Sequence, residues 1–242
     1  MSTAVVGEVQ GIGARKREPV AGALHTIVLL VILLGAAALM YLSTSSARSA
    51  QQPNRLTFYG TTMVWEWLLT AYVLFGVRRH GTPLSEVTGA AWKDAKDFFR
   101  DLGIALAFWM VALVVLAATA KLVHFGGSQQ NLKFLAPEGA AQVAAWIALS
   151  LTAGICEETI FRGYLQKQFI AWIGNAPAGL FLSALIFGVC HIYQGARAVV
   201  VITVYGALFG ILTQWRKSMR PGMVTHTLHD TFSGLAVKFL PK

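Results

Sequence analysis

The 242-residue chain is 55% hydrophobic and only 13% charged, where a soluble domain carries about 25% charge, and its mean hydropathy is +0.57. That composition excludes a disordered chain, a collagen-like chain and a disulfide scaffold, and points to a polytopic membrane protein. Lys and Arg number 20 against 11 Asp and Glu; the excess suits basic loops facing anionic lipid, and with no basic segment interleaved with aromatics nucleic acid is not an expected partner.

In chain order, residues 1–19 read as a flexible cytoplasmic tail carrying Arg15, Lys16 and Arg17. A membrane-crossing helix needs about 20 mostly apolar residues. Apolar runs at 20–42, 58–77 and 102–125 meet that need. The first is longer than the apolar core of a signal peptide, which favours an anchor over cleavage near Ala47. Between the second and third runs, 78–101 is a mixed-charge cytoplasmic segment whose 92–100 portion reads as an interfacial amphipathic helix. A fourth run starts near Gly139, passes Cys156 and ends about Trp172, broken by Gly174 and Pro177. Runs at 179–193, 196–215 and 223–239 complete the set, the fifth being short. The fold class is therefore all-α: a polytopic membrane helix bundle of about seven transmembrane helices (six to eight). One domain is expected, with 20–138 supplying the N-terminal helices and cytoplasmic segment and 139–242 the core helices. Gly206 and Gly210, four apart, permit close helix packing. With the N-terminus inside, 13 of the 20 Lys and Arg fall on cytoplasmic segments and 7 outside, which favours a multi-pass cell-membrane protein with a cytoplasmic N-terminus.

Ionisable groups inside a membrane are costly and read as functional. Glu157 and Glu158 are adjacent within the fourth run. On a helix they diverge by about 100°. Glu158 and Arg162 stand i,i+4 and can pair, leaving Glu157 free to bind a proton, a water or a metal. His191 closes the fifth run, and His226, His229 and Asp230 open the seventh, with His226 and Asp230 on one face. A carboxylate and two imidazoles suffice to activate water, directly or through zinc. No HExxH, GxSxG or P-loop string competes with that reading. Cys156 and Cys190 precede Glu157 and His191 by one residue, so a helical step turns them away from the site. One tension accompanies this picture: in the N-inside topology the fifth helix runs outward and carries His191 away from Glu157 and His226 unless that helix is short or tilted.

The ordered set EExxxR, FxxxH and HxxxD over successive membrane helices resembles the CPBP (Abi/CAAX protease) family of intramembrane endopeptidases, along roughly the C-terminal 40% of the chain. The resemblance implies a catalytic core over 139–242 and an endopeptidase that cleaves a membrane-associated protein or peptide substrate, with or without a lipid modification. It implies that Glu157 activates water, that Glu158 and Arg162 form its supporting ion pair, that His191 is the second water-activating or metal-binding group, and that His226 and Asp230 hold the developing oxyanion. His191 is also expected to shuttle a proton to the leaving amine. Some relatives carry Asn at the last position; an ionised Asp cannot donate a hydrogen bond, so Asp230 must be protonated, orient His226 or ligate a metal. The cofactor is expected to be none or zinc held by Glu157, His191 and His226, with a lean to none, because Glu157 would otherwise serve as both ligand and base. Two other functions use the same residue types: a proton- or ion-coupled transporter, and a non-catalytic immunity or scaffold membrane protein.

Overall fold

Chain crossing hydrocarbon must satisfy every backbone N–H and C=O internally, and apolar runs do so as helices. In the computed structural model of the protein, which describes residues 18–46, 54–89, 91–124 and 136–236, α1 spans Ala23–Ser46, α2 Arg55–Arg79, the one-turn α3 Ser85–Thr88 and α4 Ala95–Leu122. α5 (Ala140–Glu157) runs on through a π-helical segment (Glu158–Leu165) into α6 (Gln166–Ile173). α7 spans Ala176–Cys190, α8 Ala196–Arg216 and α9 Arg220–Ala236, and the described residues contain no strand. The protein is an all-α polytopic membrane helix bundle. With α5 to α6 taken as one continuous helix, seven helices occupy the seven apolar runs among the described residues. Four stretches, Ala23–Ser43, Ala95–Leu122, Ala140–Ile173 and Ala196–Arg216, are long and apolar enough to cross a membrane by length and composition. Large apolar side chains such as Leu24, Val31, Val114 and Leu122 stand on the outer surface, where lipid rather than water is the fitting solvent. The basic tail residues, the cleavage point near Ala47, and Arg48, Lys133, Lys238 and Lys242 lie outside the described residues.

Local signals set the helix ends. Asn54 caps α2 by accepting from the Leu56 and Thr57 amides, and Asp94 caps α4 by accepting from the Asp97 amide. The expected break after the fourth run is a tight turn: Gly174 closes α6 in the left-handed region (φ 72°), and Asn175 caps α7, with a proline in its first turn. The stretch expected as an interfacial amphipathic helix, 92–100, is helical from Ala95 on as the first part of α4. Residues from Ala95 on belong to α4, while Trp92 precedes it and donates from Nε1 to Asp101 at 3.0 Å. Asp101 also accepts from Arg216 at 2.7 Å, and the Arg220 guanidinium lies 4.5 Å from the Trp92 ring. These contacts tie the start of α4 to the α8–α9 junction, while Trp92, Phe98 and Phe99 remain exposed.

Close approaches then stack the C-terminal helices. A Cβ at Gly154 would lie 2.3 Å from Thr227 Oγ1 and 2.8 Å from the Met223 carbonyl, so α5 and α9 touch backbone to backbone. Gly206 and Gly210 likewise let α8 meet α7: Cβ atoms there would stand 3.2 Å from Ala184 Cα and 2.8 Å from Leu180 Cγ. Their buried carbonyls accept from Arg162 and Gln166, each at 3.2 Å. At the other end of this core, fully buried Gln168 accepts from the Val20 and Ala21 amides and donates to the Ala21 carbonyl, fastening the entry to α1 onto α6.

Candidate active site

The site is built where α5 passes into the π-helical segment. That transition separates two adjacent carboxylates: the Glu158 side chain is 0% exposed and that of Glu157 is 17% exposed. Glu158 Oε1 takes Arg162 Nη1 at 2.9 Å and His226 Nδ1 at 3.0 Å. Arg162 itself is wedged in the core, its Nη2 donating to the Gly206 carbonyl and its guanidinium 4.4 Å from the Phe187 ring centre. A carboxylate held against a guanidinium can only accept, so the hydrogen in the Glu158–His226 contact sits on Nδ1. The opposite nitrogen, Nε2, stands 3.5 Å from Glu157 Oε2 and 3.5 Å from Asp230 Oδ2. Of the options open to Asp230, the short orienting contact to His226 is made by Glu158 instead.

His191 caps the C-terminus of α7. Its Nδ1 lies 2.8 Å from the Phe187 carbonyl; a carbonyl only accepts, so Nδ1 carries the hydrogen and Nε2 keeps its lone pair. With 15 residues, α7 is about 22 Å long, and this shortness removes the tension over His191 depth. Glu157, His191, His226 and Asp230 all line one cavity of about 800 Å³. Glu158 and Arg162 stand behind its wall, and Arg162 instead borders a second, more polar cavity of about 420 Å³. Trp146 of α5 fixes the mouth of α9 by donating from Nε1 to the Asp230 carbonyl at 2.9 Å.

Two placements differ from the sequence reading. Cys156 is buried away from the cavity, but Cys190 lines it. The helix ends at Cys190, so the 100° step does not carry over to His191. The cavity also holds residues that the motifs did not include, Glu66 of α2 and Tyr205 of α8, beside His229, which the sequence had placed within reach. The signal for Glu66 was present: a lone carboxylate in the middle of an apolar run. The zinc expectation was set against the donors. Among the described residues no three His, Cys, Asp or Glu side chains are placed to hold a metal ion together. His226 Nδ1 is held by Glu158, and Nε2 lies 3.5 Å from Glu157 and from Asp230.

Residues 139–232, from the start of α5 into α9, match the family model described as type II CAAX prenyl endopeptidase Rce1-like. That stretch is similar to the Rce1-like family. The match takes in every residue singled out in the three motifs and leaves out α1, α2 and α4, so Glu66 reaches the cavity from outside the Rce1-like segment. No match to the chain was found among curated proteins or among solved structures. Chemically, the cavity offers a partly exposed carboxylate, an imidazole with a free lone pair and a second imidazole backed by a buried ion pair. That is the equipment for general-base attack by water on a carbonyl.

Proposed function

We propose that the protein is an intramembrane endopeptidase that hydrolyses a peptide bond in a membrane-associated protein or peptide, with water as nucleophile. The observation that carries this reading is the convergence of Glu157, His191 and His226 on one cavity inside a helix bundle whose C-terminal part is Rce1-like. Glu157 takes a proton from water; His191 holds that water through Nε2. His226, oriented by Glu158, donates from Nε2 in its protonated form to the tetrahedral oxyanion. Removing such a donor typically costs about 3 kcal/mol of transition-state stabilisation. Arg162 holds Glu158 in place. Asp230 sits 3.5 Å from His226 Nε2 on the same face of α9. The chain lies in the membrane with its N-terminus cytoplasmic, and the cavity walls from Leu33, Phe58 and Leu69 suit an apolar or lipid-modified segment beside the scissile bond.

The test is a mass-spectrometric cleavage screen with the purified full-length protein and membrane peptides, prenylated and unmodified. Glu157→Ala abolishes cleavage, and a chelator leaves the parent rate unchanged. Cleavage that survives Glu157→Ala ends the mechanism, and cleavage lost only with chelator returns zinc to it.

A further inference from the structure

We propose that Glu66 is a second acid of the reaction, the group that protonates the departing amine; this rests on the peptidase reading above. Three observations lead there. Glu66 lines the same cavity as Glu157, although it comes from α2, outside the Rce1-like segment. It is only 8% exposed, and its Oε2 is buried with no hydrogen-bond partner. Neither imidazole of the proposed mechanism has a spare N–H for the leaving nitrogen. His191 has its Nδ1–H on the Phe187 carbonyl, and the mechanism above uses the Nε2–H of His226 for the oxyanion, its Nδ1 being held by Glu158.

The titratable groups that act electrostatically around Glu66 are Glu157 and Cys156 from α5, His226 and Asp230 from α9, and Tyr193 after α7. Three carboxyl groups, Glu66, Glu157 and Asp230, thus share one largely apolar cavity with the His226 imidazole. Like charges in such surroundings do not all ionise, and the member with a buried oxygen that has no hydrogen-bond partner is the one that keeps its proton. An ionised Glu66 would leave Oε2 as an uncompensated buried charge; a neutral carboxyl does not.

In the forward step Glu157 takes one proton from water as the water oxygen bonds to the carbonyl carbon. The oxyanion collapses, the C–N bond breaks with its electron pair on nitrogen, and the Glu66 proton goes to that nitrogen. A carboxylic acid and an amine leave. Glu157 is then protonated and Glu66 ionised, and transfer of one proton from Glu157 to Glu66 through cavity water restores both.

The experiment compares two substrates with the same acyl part: the peptide cleaved fastest in the screen, and its thioester analogue, whose thiolate leaves without being protonated. In Glu66→Gln the amide rate falls by about 10²–10⁴ while the thioester rate stays within about threefold of the parent. Glu66→Asp, which keeps an acid one methylene shorter, retains at least about tenfold more amide activity than Glu66→Gln. Glu157→Ala loses both substrates. Equal losses of amide and thioester in Glu66→Gln, in protein with an unchanged unfolding midpoint, overturn the assignment in favour of a structural role. An unchanged amide rate overturns it in favour of Glu157 returning its own proton. If the parent chain hydrolyses neither substrate, the peptidase reading has failed and Glu66 falls with it.

Discussion

Arg162 shows how much of this site rests on one side chain. It is buried at 2% exposure, paired with Glu158, and stacked between Phe187 and Phe209. Breaking a buried pair by removing one member costs about 3–5 kcal/mol, because the partner is left as an uncompensated charge. Arg162→Ala is therefore expected to lower stability by that amount in detergent unfolding and to abolish cleavage through loss of the His226 contact. Arg162→Met combined with Glu158→Gln removes both charges and recovers most of the stability without the activity. The i,i+4 spacing made this pair legible in the sequence. The second task of Glu158, orienting His226, was not legible: it joins residues 68 apart along the chain, and only the packing of α9 on α5 makes them neighbours. Glu66 was equally visible as a residue type and went unrecognised because its helix carries no second motif residue beside it.

At the scale of the element, the helices were legible because hydrophobic runs of the right length have few alternatives in lipid. Their fine structure was not. Residues 92–100 have a helical, amphipathic composition, but the start of α4 is decided by the Asp94 cap and by the Asp101–Arg216 contact, which no local pattern announces. The π-helical segment was also hidden, since eight residues of mixed polarity fit either winding and tertiary contacts choose between them. Close packing, by contrast, leaves a testable mark. Gly154→Ala would push a methyl group into Thr227 and the Met223 backbone. It is expected to cost about 1–3 kcal/mol and to lower activity by shifting His226. Gly103→Ala, where nothing lies within 4 Å, is the control; it gains up to about 1 kcal/mol from helix propensity. Paired thermal unfolding and cleavage assays separate the two.

At the scale of the whole molecule, the basic residues propose a direction across the bilayer. With the N-terminus inside, the segment before α4 is cytoplasmic and the end of α4 is external. A membrane-impermeant thiol reagent is expected to modify His124→Cys in right-side-out vesicles and Lys93→Cys only in inverted ones. The opposite pattern inverts the bundle and places the cavity mouth on the other face. One further property follows from the π-helical stretch between Glu158 and Leu165. A turn of that kind carries a surplus residue relative to ordinary helical pitch, and such a surplus displaces everything after it by about 100°. Rewinding that stretch as an even α-helix with every residue kept would swing Gln166 and Gln168 off Gly210 and the chain entering α1, whereas deleting one residue there would leave both in place. The extra residue thus lets a single continuous rod aim its first half at the chemistry and its second half at the anchor that holds the N-terminal helices in place.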